Sequence, residues 1–263
     1  MVVKVDREDD GIALMTLDDP DRRNAMGVEM GDELAARCAD LAADDELRVV
    51  VLTGAPPAFS AGGDLGMLET LARRTRDEGF DASDTMRAFY RRFLAIRDLP
   101  VPVIAAINGH AVGAGLCVAL AADIRIVAAE AKVGLNFSRL GLHPGMGGSW
   151  FLPRLIGAQR AADWLYTGRL VTGIQAADAG LALEAVPAAD VLATALALAE
   201  DIAASSPVVV RQLKTTLAMV DDSDLDGAVE REAACQAISY GTDDLVEGLA
   251  AARERRDPRF TGR

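Results

Sequence analysis

Cysteine, histidine and aromatic residues are all scarce in this 263-residue chain. The three cysteines, Cys38, Cys117 and Cys235, lie far apart and are odd in number. That excludes a disulfide framework and a CxxC metal site, and it suits a reducing compartment. His110 and His143 are the only histidines, and neither has a carboxylate or cysteine spaced to complete a metal site, so no metal is expected. Lysine and arginine number 27 against 40 acidic residues, for a net charge of -13. Phosphate binding needs a basic face, so nucleic acid is not expected as a partner. The longest apolar run, near 112–122, is too short for a bilayer span, and Met1-Val2-Val3-Lys4-Val5-Asp6 has no signal-peptide core. The expectation is a soluble, cytoplasmic protein. Its hydrophobic content of 51% argues against disorder, and its length fits one large domain or one domain with an appendage.

What the chain does have is glycine turns at strand ends. The strand-like run Val103 to Ile107 leads into Asn108-Gly109-His110-Ala111-Val112-Gly113-Ala114-Gly115, and an apolar helix-like run follows. An earlier strand, Arg48 to Thr53, precedes Phe59-Ser60-Ala61-Gly62-Gly63-Asp64-Leu65. A strand, a glycine turn and a helix N-terminus present backbone N–H groups to an incoming anion or carbonyl oxygen. Two such turns aimed at one point would make an oxyanion hole.

In chain order, Val2–Val5 and Ile12–Leu17 read as strands around an Asp9-Asp10-Gly11 turn, and Met26–Ala43 has helical spacing. Leu65–Gly79, rich in arginine, reads as a short helix and a mobile polar loop. Ala82–Arg97 reads as a helix with Met86, Phe89, Phe93 and Ile96 on one face. Ile124–Val127 and Leu183–Val186 are further strands, and Gly141–Gly148 is a third glycine-rich loop. Beyond Ala188 the pattern is helical throughout. The expected organisation is an α/β core over 1–187 and a helical region over 188–263.

Familiar nucleotide and nucleophile motifs are absent. Gly145-Met146-Gly147-Gly148 lacks the last glycine of a dinucleotide fingerprint, no Walker lysine follows a glycine loop, and Ser60 has no Gly-x-Ser-x-Gly frame.

The ordered motifs Arg23-Asn24-Ala25-Met26, Ala58–Leu65, Ile107–Gly115, Ala122-Asp123-Ile124-Arg125, Leu140–Gly148 and the ending Pro258-Arg259-Phe260-Thr261-Gly262 resemble the crotonase (enoyl-CoA hydratase/isomerase) superfamily. The resemblance implies repeated ββα units with a C-terminal helical trimerisation region, assembled as a trimer or a hexamer. It implies an acyl-CoA thioester ligand, with coenzyme A as part of the substrate and no separate cofactor. It puts the two backbone donors for the thioester oxygen on Ala61 and Ala114. It assigns CoA contacts to Arg22, Arg23, Ala25, Gly62, Asp64, Leu65 and, from the arginine-rich tail, Phe260.

Hydratases of the superfamily also carry two glutamates that hold and deprotonate a water. Matched residue by residue, those positions fall on Cys117 and Phe137, which cannot act as carboxylates. Three readings follow. Another residue does the chemistry: His143, Cys117 as a nucleophile, or an acid among Asp77, Glu78 and Asp84. For His143 the weightier alternative is loop packing, and for Cys117 a small buried thiol. His110, Asp64 and Asp123 read as structural. The second reading is an oxyanion hole that supports decarboxylation of a malonyl-type thioester. The third is a non-catalytic acyl-CoA carrier.

Overall fold

A computed structural model describes residues 1–220 and 223–263. The chain opens with β1 (Val3–Arg7), β2 (Ile12–Leu17) and α1 (Val28–Ala42). Three strand-strand-helix units follow. The first is β3 (Val49–Gly54), β4 (Ala58–Ser60) and α2 (Leu65–Glu78), extended by α3 (Ser83–Leu94). The second is β5 (Val103–Ile107), β6 (His110–Val112) and α4 (Ala114–Ala121). The third is β7 (Ile124–Ala128), β8 (Lys132–Gly134) and α5 (Gly148–Ile156), with α6 (Ala158–Thr167) after it. β9 (Val171–Thr172), α7 (Gly173–Asp178) and β10 (Glu184–Val186) close the core. Then come α8 (Val191–Ala203), α9 (Pro207–Ala218), α10 (Leu225–Ser239) and α11 (Asp243–Glu254).

The first strand of each unit joins a six-stranded sheet in the order β1-β2-β3-β5-β7-β10, parallel except for the β1–β2 hairpin. The second strand of each unit joins a four-stranded sheet, β4-β6-β8-β9. This is the repeated ββα architecture that the motifs imply. β3 and β5 are buried along their whole length, which their unbroken apolar runs require of central parallel strands. α1 lays Met30, Leu34, Cys38 and Leu41 on the core at helical spacing. α4 is buried on every side, so its sequence, Ala-Gly-Leu-Cys-Val-Ala-Leu-Ala, has no polar face.

One stretch departs from expectation. Leu65–Glu78 is a continuous helix rather than a short helix and a loop. The Asp64 side chain caps its start by accepting from the Met67 N–H at 2.7 Å, and Gly79 ends it in the left-handed conformation. The helix buries none of its residues, so its arginines carry no information about packing.

The change of composition near residue 187 falls between β10 and α8. α8 rests Val191, Ala195, Ala199 and Ala203 in the same core as the sheet. α9 is tied to the sheet end by Lys214, whose Nζ donates to the Val101 carbonyl (2.6 Å) and to Asp123 Oδ2 (3.0 Å). Asp244, only 3% exposed, accepts from Ser206 Oγ and from the N–H groups of Thr261 and Gly262, which pins the chain end to α11. Among the described residues no single helix is long and apolar enough to cross a membrane.

Candidate active site

β4 and β6 run parallel and end side by side, so the two glycine turns leave the small sheet together. Their spacing is set by residues without side chains. A Cβ on Gly62 would lie 2.7 Å from the Val112 carbonyl oxygen and 3.8 Å from the Ala114 nitrogen. A Cβ on Gly115 would meet Ser60 Oγ at 2.5 Å. Any side chain at either place would force the turns apart.

Asn24 holds the first turn in place. It is fully buried, and its Nδ2 donates to the carbonyls of Ala55 (2.8 Å), Ala58 (2.8 Å) and Phe59 (3.2 Å) while its Oδ1 accepts from the Asp19 N–H. Ser60 Oγ donates to the Asn24 carbonyl at 2.7 Å and accepts from the Gly62 N–H. Ser60 is therefore a clamp, in keeping with its missing nucleophile frame. The sequence places Asn24 in the Arg23–Met26 motif without showing this task; the signal it carries is an asparagine, a residue that tolerates the left-handed φ of 56° found here, after an arginine pair.

The backbone donors divide sharply. The Ala61 N–H donates to the Arg23 carbonyl at 2.9 Å, so it is engaged within the protein. Two residues on, the Met26 N–H donates to the Gly62 carbonyl and the Asp64 N–H donates to the Met26 carbonyl. This parallel bridge turns the Gly63 N–H to the opposite side, and among the described residues it has no acceptor. Ala114 is the first residue of α4, and its N–H also has no acceptor, as the first turn of a helix requires.

The positions matched to the family glutamates both border this place. The Cys117 thiol, one turn along α4 from Ala114, is wholly buried and donates to the Gly145 carbonyl at 3.4 Å. Burial pushes its pKa up to about 12, only partly opposed by the Gly148 N–H and its own N–H, so it stands neutral at ordinary pH. Phe137 lies in a short 3-10 turn, Asn136–Leu140. A Cβ on Gly113 would sit 3.9 Å from the tip of its ring and 3.1 Å from Asn136 Oδ1. The wall beside the Ala114 N–H is thus an aromatic ring, an amide oxygen and a neutral thiol.

The other expected residues are arranged as follows. His143 is exposed, with Nδ1 2.8 Å from the Pro144 carbonyl. His110 Nδ1 accepts from the Lys132 N–H at 2.9 Å, a strand-edge contact. Asp77, Glu78 and Asp84 each pair with an arginine on the helix surface. Arg22 is paired with Asp19 (2.7 Å) and Asp64 (3.5 Å), beside the first turn. Arg23 is exposed and serves the turn through its carbonyl. Ala25 is half-buried between them, and Leu65 is exposed at the head of α2. Phe260 packs on Gly248 of α11, and its carbonyl accepts from Arg48 Nη2 at 2.8 Å, so within the chain it ties the C-terminal end to α11 and to the residue before β3.

The comparisons with known proteins give the family to which the fold belongs. The model of the family described as enoyl-CoA hydratase/isomerase matches residues 7–263. A Mycobacterium tuberculosis protein named probable enoyl-CoA hydratase EchA14 is 39% identical over 253 residues, covering 94% of this chain and 96% of its own. The Mus musculus protein named enoyl-CoA hydratase domain-containing protein 2, mitochondrial, is 35% identical over 258 residues, covering 96% of this chain and 85% of its own. The crystal structure of an enoyl-CoA hydratase from Bacillus anthracis superposes with a TM-score of 0.90 at 32% identity, over 100% of both chains. By the family match along almost its entire length, this chain belongs to the enoyl-CoA hydratase/isomerase family of the crotonase superfamily.

Proposed function

We propose that this protein binds an acyl-CoA thioester with the thioester oxygen between the N–H groups of Gly63 and Ala114, and that it acts as an enzyme on that ligand. The observation that carries this reading is the pair of unengaged backbone donors at adjoining turns, one beside a parallel bridge and one at a helix start. Gly63 replaces Ala61 in the assignment because the Ala61 N–H is already used by the Arg23 carbonyl. Each donor of this kind typically contributes about 3 kcal/mol to an enolate-like transition state. Arg22, half-exposed beside the first turn, reaches the phosphates of CoA by exchanging its pairs with Asp19 and Asp64 for them.

Classical hydration is disfavoured. It needs a carboxylate to deprotonate water, and the matched positions are a neutral thiol and a phenyl ring. General acid–base groups are usually worth about 10²–10⁴-fold each, so their loss leaves reactions driven by enolate stabilisation. Decarboxylation of a malonyl-type thioester is one: CO₂ leaves, and the electron pair stays in an enolate held by the two donors. A second reading, a non-catalytic acyl-CoA carrier, is favoured by the same missing carboxylates. The exposed apolar residues of α9–α11, including Leu217, Leu225, Val229 and Val246, suit burial against further copies in a trimer or a dimer of trimers. Three unpaired thiols fit a reducing cytoplasm.

The test mixes near-stoichiometric protein with 2-enoyl-, 3-enoyl-, 3-hydroxyacyl- and malonyl-type CoA thioesters and follows bound ligand and product by mass spectrometry. Product from one class is expected. Binding without turnover across the panel would leave the carrier reading, and no binding at all would overturn both.

A further inference from the structure

The third glycine loop is met by one hydroxyl that none of the roles above uses. Tyr90 lies on α3, one residue past Phe89, which is buried. While Phe89 and Phe93 stack edge to face in the core, Tyr90 is half-buried and turned toward the third glycine loop. A Cβ on Gly145 would lie 2.5 Å from the Tyr90 hydroxyl, so glycine there leaves the space the phenol occupies. Gly145 is also the residue whose carbonyl takes the Cys117 thiol. The phenol therefore reaches the first of the two positions where the family carries a carboxylate.

Among the described residues the Tyr90 hydroxyl has no hydrogen-bond partner. Burial raises its pKa, with a further contribution from the Cys117 thiol, so it is a neutral donor. Tyr90 and Met86 also line an open depression on the flank of α3, together with Asp81, Ala82, Ser83 and Arg87. A half-buried phenol whose hydroxyl has no hydrogen-bond partner is a half-made contact. Cys117 lies about 4.5 Å along the α4 axis from Ala114, by the rise of three helical residues. An acyl group whose thioester oxygen rests on the Ala114 N–H brings the substituents of its next carbons to that depth.

We propose that Tyr90 selects acyl groups that carry an oxygen acceptor beyond the α-carbon, as a hydroxyl, oxo or carboxylate substituent, by donating its phenolic hydrogen to that oxygen. The proposal rests on the thioester site described above. An alkyl acyl group would cover the phenol without satisfying it, and a site built around a hydrogen bond rejects the analogue that lacks it.

The test is calorimetric binding of butyryl-CoA, 3-hydroxybutyryl-CoA and malonyl-CoA to the full-length protein and to Tyr90→Phe. The unmodified protein is expected to bind at least one of the two oxygenated thioesters about tenfold more tightly than butyryl-CoA. In Tyr90→Phe that preference falls to within twofold, with butyryl-CoA affinity kept or improved. A residue that only supported the fold would weaken all three ligands alike, and that result overturns the proposal. So does equal affinity for all three in the unmodified protein, which leaves the thioester site standing. Failure to bind any thioester overturns the site and the proposal together. Gly145→Ala is a second variant, since its added methyl displaces the phenol without removing it; the preference is expected to fall there too, and a fully retained preference counts against the proposal.

Discussion

The Cys117 thiol donates to the Gly145 carbonyl at 3.4 Å, inside a shell that admits no solvent. That contact decides between two roles for the residue. A nucleophilic cysteine needs an accessible thiolate, and this thiol is inaccessible and held neutral by burial. Cys117→Ser is therefore expected to keep turnover within about threefold of the unmodified protein. Iodoacetamide should label the half-exposed Cys235 of the native protein well before Cys117. A loss of two or more orders of magnitude in kcat for Cys117→Ser would restore the nucleophile.

The same burial predicts a pH dependence of stability. The thiols of Cys38 and Cys117 are both pushed up to about 12 from an unfolded value near 9. Between these values the unfolded chain has released protons that the folded chain keeps. Stability therefore falls as pH rises from about 9 toward 12, by at most about 1.4 kcal/mol per pH unit for each thiol. Urea unfolding from pH 8 to 11 measures it, and replacing both cysteines by alanine should flatten the slope.

Asn24 is the buried clip of the first turn, and its amide serves three carbonyls. Asn24→Ala leaves those acceptors without a partner in a closed space. The expected loss of stability is about 3 kcal/mol, and thioester affinity should fall because the Gly63 turn loses its support. The urea midpoint measures the first effect and calorimetry the second. A stability change below about 0.5 kcal/mol would show that the surrounding groups rearrange to satisfy themselves.

Gly115 lets α4 approach β4 closely enough for Ser60 Oγ to sit where a methyl group would be. Gly115→Ala should cost about 1–3 kcal/mol by overpacking and should weaken thioester binding by moving the Ala114 donor away from the first turn. Parallel unfolding and binding measurements check both. Loss of stability with unchanged binding would mean that the two turns do not act together.

Much of this was legible in the chain, and what was not has identifiable causes. The runs Arg48 to Thr53 and Val103 to Ile107 are nearly all apolar and rich in valine and isoleucine, so they read as strands, and they form the buried strands β3 and β5. The glycine turns after them showed where a site would form. β4, β6 and β8 have three residues each, too few for an alternation to register, and their partners lie tens of residues away. α2 is hard to read in full because its capping signals, Asp64 and Gly79, stand at the ends of a polar, arginine-rich run with no buried face. Motif matching puts the first donor on Ala61 because it identifies only the turn, whereas the free N–H within the turn depends on the Met26–Gly63 bridge. Tyr90 could be read only as part of a helix, since its approach to Gly145 joins residues from two separate units.

The N–H of Ala114 can be removed with little else. Ala114 is the first residue of α4, where proline is tolerated, and Gly113 before it has φ of 55° and no Cβ to clash with a following ring. Isotope-edited infrared spectroscopy of a CoA thioester labelled with ¹³C at its carbonyl, bound to the unmodified protein and to Ala114→Pro, reads the donor directly. The donor role of this N–H predicts a carbonyl stretch at lower frequency than in water for the unmodified protein, most of that shift lost in Ala114→Pro, and an unfolding midpoint close to that of the unmodified protein. An equal shift in both proteins would contradict it.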